Sequence, residues 1–329
     1  RRIRSPDGGD NLFLCSIIAL RPETGEYVWH HQQVPAETWD YTATQHMILA
    51  EIEWDGSQRK VLMQAPKAGF FYIYDRETGE LLSAEKYGRQ VTWASHYDMQ
   101  TGRPVEVAGQ DFAEEPATVF PSGLGAHNWQ PMSYSPRTGL VYIPAMDMGA
   151  PMSDEPVFRA SRRVFSTGNE SDGAIHNAQL VQTMLPEVMN GYLLAWDPRE
   201  QKSVWEVDQG AMGNGGTLVT AGDLVFQGMI DGGFTAFDAR DGTERFRFET
   251  QNGIMGSPIS YAVDGEQYVA VAAARGGGLS AVLGRQFDRT NTPTSGRLLV
   301  FRIGGDAKLP MPMKNPKVPK PPGNTTSPL

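Results

Sequence analysis

One hairpin pattern returns five times along this chain, and a returning unit limits the fold more sharply than any single motif. The pattern is a strand, a turn opened by Asp or Pro, a Thr-Gly pair, and a strand ending in an aromatic. It first occurs as Ala19-Leu20-Arg21-Pro22-Glu23-Thr24-Gly25-Glu26-Tyr27-Val28-Trp29. It returns at Ile73-Tyr74-Asp75-Arg76-Glu77-Thr78-Gly79-Glu80-Leu81-Leu82 and at Tyr134-Ser135-Pro136-Arg137-Thr138-Gly139-Leu140-Val141-Tyr142. The remaining copies run from Ala195 to Trp205 and from Ala236 to Phe246. Apolar residues alternate on either side of each tight turn, and glycine supplies the positive φ that such a turn needs.

Further short strands are predicted at residues 60–64, 218–226 and 267–274, whereas helix-period stretches are scarce apart from a short turn near 177–185. Several short strands per repeat, with repeats about forty to sixty residues apart, predict an all-β chain built as a β-propeller of four-stranded blades. A β-sandwich is the rival, but it gives no reason for the same hairpin to return. Residues 1–308 read as a partial propeller, in which 146–190 is a long, weakly patterned insertion over one face. Residues 309–329 read as an extended, proline-rich tail or linker. Five hairpins leave a ring open, and an open arc exposes strand edges. The abrupt start at Arg1 therefore predicts the C-terminal half, or slightly more, of a longer protein.

Composition enters mainly to exclude. A net charge of -9 argues against a nucleic-acid partner, which needs a basic footprint. No run of about 18 apolar residues could cross a bilayer, and no apolar signal segment follows Arg1-Arg2-Ile3-Arg4. The one cysteine, Cys15, lies in an apolar run and reads as a buried structural residue; alone it forms no internal disulfide and no CxxCH haem attachment. Nothing resembles a GxGxxG turn, a Walker loop or a GxSxG elbow, so nicotinamide, nucleotide and acyl-serine chemistry lack support.

Propellers place function on loops at the centre of one face, and four loops carry candidate residues. Asp40, between Trp39 and Tyr41, is a candidate general base if a neighbouring cation keeps it ionised; the plain alternative is a turn carboxylate. Lys67, after a buried-looking strand, could reach an anion or a carbonyl oxygen, or could simply be solvated. His127-Asn128-Trp129 offers an amide and an aromatic plane. His127 itself reads as a packing or hydrogen-bonding residue, since no second His or Cys stands at metal-ligand spacing. In Gly213-Asn214-Gly215-Gly216, backbone N–H groups could approach a ligand closely, although such loops are usually only turns.

Together these motifs, in order over residues 8–304, resemble the quinoprotein alcohol dehydrogenases: Trp39-Asp40-Tyr41, Ala65-Pro66-Lys67, Trp93-Ala94-Ser95, His127-Asn128-Trp129 and Asn214-Gly215-Gly216-Thr217-Leu218. That family consists of periplasmic eight-bladed propellers that use pyrroloquinoline quinone (PQQ) and a metal ion, and the hairpins are similar to its tryptophan-docking repeats. The resemblance implies a periplasmic enzyme oxidising a small alcohol to the aldehyde. Asp40 then matches the base that takes the alcohol proton while hydride moves to the quinone C5 carbon. Lys67 matches the group bonded to the reactive quinone oxygen. Asn128, Trp129, Gly213 and Asn214 match cofactor-contacting positions, though many relatives carry Trp where this chain has Gly213.

The resemblance also implies a metal beside Asp40, with its other ligands expected upstream of Arg1. Lanthanide-using relatives carry a second aspartate where this chain has Thr42, so calcium is implied, as a Lewis acid on the quinone carbonyl. The family's adjacent-cysteine disulfide, its glutamate and asparagine metal ligands and the tryptophan stacked on the quinone are absent here, so the chain is expected to hold roughly half a site and to be inactive alone. A cytochrome c or quinone-type electron acceptor is implied, with haem c only in a domain beyond this chain. The alternative is a non-catalytic propeller used as a binding or assembly platform, for which the Asp40, Lys67 and Asn128-Trp129 set would have no purpose.

Overall fold

The computed structural model describes residues 4, 7–154, 157, 189–210, 212–274 and 296–311. Among them there are twenty-one strands and no helix. The chain opens with the hairpin β1 (Ser16–Leu20) and β2 (Tyr27–Gln32), followed by a four-stranded antiparallel sheet of β3 (Met47–Trp54), β4 (Ser57–Gln64), β5 (Phe70–Asp75) and β6 (Leu81–Lys86). Two small pairs come next. β7 (Ala94–Asp98) pairs with β8 (Arg103–Glu106), and β9 (Ala117–Val119) pairs with β12 (Ala150–Met152). The second four-stranded sheet joins β10 (Ser133–Ser135), β11 (Leu140–Met148), β13 (Met189–Asp197) and β14 (Lys202–Asp208). The third joins β15 (Thr217–Val219), β16 (Leu224–Gly228), β17 (Gly233–Asp238) and β18 (Glu244–Glu249). A three-stranded sheet of β19 (Ile259–Val263), β20 (Glu266–Ala273) and β21 (Arg297–Arg302) closes the described chain.

The sheets stack face to face because their middle strands are apolar on both sides. In β5 all six residues, Phe-Phe-Tyr-Ile-Tyr-Asp, are buried, the signature of a strand covered above and below. Phe70, Tyr72 and Tyr74 turn toward Ile17 and Trp29 of the first hairpin. Phe71 and Ile73 turn the other way, toward Val141, Ile143, Tyr192 and Leu194 of the next sheet. Tyr142, Leu193 and Ala195 meet Val225 and Phe237 of the third sheet, whose Phe226 and Phe234 meet Val269 and Val271 of the last. This succession is the blade stacking of a propeller. At its two ends the outward faces stay uncovered. Ile18, Leu20 and Val28 are exposed at one end; Ile259, Tyr261, Val263, Leu298 and Val300 are exposed at the other.

The recurring turn has one geometry. The N–H of Gly25, Gly79, Gly102, Gly139 and Gly242 each donates to the carbonyl four residues earlier, at 2.7–2.9 Å. Asp75, Asp197 and Asp238 each also accept the N–H two residues on. Two of these turns seat a tryptophan from the preceding sheet. Trp29 donates to Arg76 O at 3.3 Å, and Trp205 donates to Ala239 O at 3.2 Å. The hairpin Asp98-Met99-Gln100-Thr101-Gly102 between β7 and β8 is a further copy of the same turn, with matching spacing, beyond the five seen in the sequence.

The copy at Ser135–Gly139 joins the first and second strands of its sheet, whereas those after Asp75, Asp197 and Asp238 join the third and fourth. Turn chemistry specifies a hairpin, not its place in a blade. Likewise, the strand predicted over 218–226 is two strands, β15 and β16, with a turn between them. Within 146–190, β11 continues to Met148 and β12 returns to pair with β9 before the chain leaves the described residues. The predicted turn near 177–185 and most of the proline-rich tail lie outside the described residues.

Gly79 has φ +80, and a Cβ there would stand 2.6 Å from the Trp29 ring, while Gly56 has φ +75 with nothing within 4 Å. Gly56→Ala is predicted to cost roughly 1 kcal/mol, the penalty of a left-handed residue. Gly79→Ala should cost roughly 2 kcal/mol more through overpacking, and urea unfolding of the two variants checks the difference. The turn carboxylates also predict acid sensitivity. Asp98 is held low chiefly by the Gln100 N–H, and Asp238 by the Arg240 N–H; at Asp75 burial raises the pKa, but the Thr78 N–H and Arg59 outweigh it. Depressed carboxylates contribute stability above their unfolded pKa of about 4, lost as pH falls through the folded value. Denaturant midpoints should hold above about pH 4 and drop below it.

Candidate active site

The loop joining β2 to β3 carries Trp39, Asp40 and Tyr41. The two aromatics are 1% exposed and stack at 5.6 Å, with Trp39 also packed on Trp93 at 4.9 Å. Their polar ends are anchored: the Trp39 indole donates to Gln110 O at 2.7 Å, and the Tyr41 hydroxyl donates to Pro121 O at 2.6 Å. With both neighbours drawn inward, Asp40 projects outward, its side chain 61% exposed. Its φ is +65, a left-handed conformation that Asp tolerates better than most residues. Behind the loop, the Cys15 thiol meets the Tyr41 carbonyl, and burial pushes that thiol's pKa up, which suits a structural residue.

Lys67 lies in the turn between β4 and β5, its side chain only 9% exposed. Its Nζ donates to Asp40 O at 2.9 Å and stands 3.5 Å from Asp40 Oδ2. The structure thus brings the two candidate residues together, with the ammonium beside the carboxylate. Two glycines permit this approach. A Cβ on Gly125, at φ +89, would meet Lys67 at 2.5 Å; one on Gly123 would meet Asp40 Cβ at 3.2 Å. The Trp93 indole, donating to Ala68 O at 2.8 Å, ties the aromatic cluster to the lysine turn.

The loop of residues 122–130 is clamped against that turn. Ala126 N donates to Lys67 O, and fully buried His127 lies between two carbonyl oxygens, Nδ1 to Ala65 O and Nε2 to Gln130 O, each at 2.6 Å. Burial drives the His127 pKa down and the two carbonyls pull it up; the net direction is down. His127 is a brace, as expected of a hydrogen-bonding residue.

The adjoining amide shapes its own loop: Asn128 Nδ2 donates to Leu124 O and its Oδ1 accepts the Trp129 N–H, leaving the Trp129 indole 45% exposed. Pro131 links onward, its carbonyl accepting the Thr217 N–H at 2.8 Å. Gly213, at φ +81, and Asn214 lie on that last loop. Asn214 Oδ1 accepts the Ile230 N–H and its Nδ2 donates to Gln209, so this side chain too braces a loop.

Among the described residues no group of three or more His, Cys, Asp or Glu side chains could hold a metal ion. Glu37, whose buried carboxylate takes the Tyr41 N–H at 2.8 Å, had no assigned role in the sequence reading. An acid three residues before another is too common to single out, and only the fold turns it inward. The arrangement offers an exposed carboxylate that can take a proton. Beside it is an ammonium with three donors, one already engaged on Asp40 O, free to polarise an electron-rich oxygen.

The comparisons specify which kind of stacked-blade propeller carries this paired acid and cation on its loops. The β-propeller domain model of the PQQ glucose/ethanol/alcohol dehydrogenases matches residues 4–86 and 98–269. The chain belongs to that family. It is 46% identical over 326 residues to quinohemoprotein alcohol dehydrogenase ADH IIB of Pseudomonas putida, a match covering 98% of this chain and 46% of that protein. The solved structure of quinohemoprotein alcohol dehydrogenase ADHIIG from the same organism superposes with a TM-score of 0.86 at 44% identity, over 98% of this chain and 48% of that one. A europium-containing methanol dehydrogenase superposes with a TM-score of 0.76 at 29% identity, over 90% and 54% of the two chains. The chain spans just under half the length of these curated relatives.

His127→Ala would remove the one N–H that a neutral imidazole donates to these buried carbonyl oxygens, and the predicted cost is roughly 1–3 kcal/mol for the group left without it. Guanidinium unfolding measures it.

Proposed function

We propose that this chain contributes the proton-handling half of the active site of a PQQ-dependent alcohol dehydrogenase. The observation that carries the reading is the Lys67–Asp40 pair: a nearly buried ammonium 3.5 Å from an outward-facing carboxylate. A binding or assembly platform has no need of such a pair, because holding a lysine in the interior opposes its hydration.

PQQ is a flat, polyanionic quinone, and the residues present fit it. Lys67 would hold a quinone oxygen, and the half-exposed indole of Trp129 offers a flat apolar surface. Asn128, Gly213 and Asn214 would shape the walls through their loops. When bound, PQQ supplies the electrophilic carbon that accepts hydride. Asp40 would take the hydroxyl proton of the alcohol, which makes the carbinol carbon a better hydride donor. Its carboxylate is held beside the Lys67 ammonium, 3.5 Å away. Lys67 would place a positive charge where negative charge develops.

For calcium the residues here do not fit by themselves, since the ion takes six to eight oxygen ligands and Asp40 offers one carboxylate. Asp40 would supply one arm of such a site, and Thr42 in place of a second acid is the reason calcium is proposed over a lanthanide. The uncovered faces at the two ends of the arc are proposed to pack against further blades outside this chain, which would complete the site. By the same reading residues 1–308 are the propeller portion, residues 146–190 border the substrate entrance, and 309–329 form a linker. The proposed substrate is a small alcohol, the acceptor a cytochrome c or a quinone, and the location periplasmic; haem would reside in another domain.

Asp40→Asn, made in the PQQ-loaded protein that carries this chain, should reduce dye-linked alcohol oxidation at least 10²-fold, within the usual range for losing a general base, with PQQ content unchanged. Turnover near that of the parent would rule out Asp40 as the base.

A further inference from the structure

Asp40 sits in a conformation that a side chain does not choose freely, and one neighbour accounts for it. Glu37 is 6% exposed. Its Oε1 accepts the Tyr41 N–H at 2.8 Å. One buried acid therefore closes a loop spanning residues 37–41 around Asp40. Within that loop Asp40 adopts φ +65, and its own carbonyl turns to Lys67 Nζ at 2.9 Å. A left-handed residue other than glycine costs roughly 1–3 kcal/mol and persists only where its surroundings hold it. The flanking aromatics anchor the loop to the core through Gln110 and Pro121, but both of those bonds use side chains. The backbone amide that follows Asp40 is held by Glu37.

We propose that Glu37 is a positioning residue for Asp40: its carboxylate, by capturing the Tyr41 amide, fixes the backbone turn that aims Asp40 at the substrate. This rests on the reading of Asp40 as the base. A carboxylate suits the task because it accepts on two oxygens and donates nothing. Burial raises the Glu37 pKa, the Tyr41 N–H and Arg4 lower it, and the balance lies upward. Glutamine has the same length but no charge, so its bond to the Tyr41 N–H is weaker than the carboxylate's. Alanine offers no acceptor.

The test uses Glu37→Gln and Glu37→Ala in the PQQ-loaded protein, with Asp40→Asn as reference. Misplacing a catalytic group by about 1 Å can cost about 10²-fold in rate. The expected result is a kcat reduced about 10-fold in the Gln variant and about 10²-fold in the Ala variant. KM for the alcohol and the PQQ absorbance per protein should stay unchanged. Crystal structures of the same variants supply a second readout, in which residue 40 should leave the left-handed region. If Ala fails to fold, the near-isosteric Gln variant carries the same reading. Wild-type kcat in the Gln variant, or an unmoved φ at residue 40, overturns the proposal. If Asp40→Asn is itself fully active, it is the base assignment that fails; if Asp40→Asn is inactive while Glu37→Gln is normal, only the positioning role is lost.

Discussion

The structure depends on strands that have no solvent side. β5 buries Phe70, Phe71, Tyr72, Ile73 and Tyr74 alternately against two different sheets. At about 2 kcal/mol for each large side chain fully buried, the contribution from one such strand exceeds that of any single turn or ion pair in the molecule. Because every middle strand needs a sheet on each side, sheets must succeed one another around an axis. The hairpin turns then serve as fasteners: the Trp29 ring seats on Gly79 and the Trp205 ring on Gly242.

Stacking of this kind decides where chemistry can occur. The strands are committed to packing, so polar groups with freedom to act lie on the connecting loops, as expected for sites held on a rigid scaffold. Lys67 follows β4, Asp40 precedes β3, and His127 joins their neighbouring loops by standing between Ala65 O and Gln130 O. The loops are stiffened by buried bonds, while the groups left outward are the Asp40 carboxylate and the Trp129 indole. Rigid backing with an exposed reactive end is what proton transfer to a fixed partner needs. Asn128 and Asn214 show the other side of this economy, for each spends its amide on holding a loop in shape.

Much of the fold was legible in the chain. Asp-x-x-Thr-Gly spacing marks a turn with its own chemistry, and β5 declares by its unbroken apolar run that both faces are covered. Asp40 was legible too, since two aromatics on either side of an acid must turn inward together and leave it outward. The places where reading went astray have a common cause. Residues 218–226 hold a turn without a strong signal, the Ser135 hairpin sits at a different place in its sheet, and the copy at Asp98 escaped notice. In each, local turn chemistry was judged without the pairing partners that decide a strand's extent and rank.

The sequence by itself determined an all-β chain of repeated hairpins, the aromatic-flanked acid, and the membership of Lys67 in a turn after a buried strand. These follow from periodicity and turn chemistry, which act over a few residues. Only the tertiary structure decided that Lys67 Nζ meets Asp40, that His127 braces two loops, and that Glu37 turns inward to hold the amide after Asp40. The first two join residues some thirty to sixty positions apart. The third is local in sequence, yet the direction of the Glu37 side chain depends on which face of the loop the core covers. Stacked sheets set that face, and no short-range rule contains it.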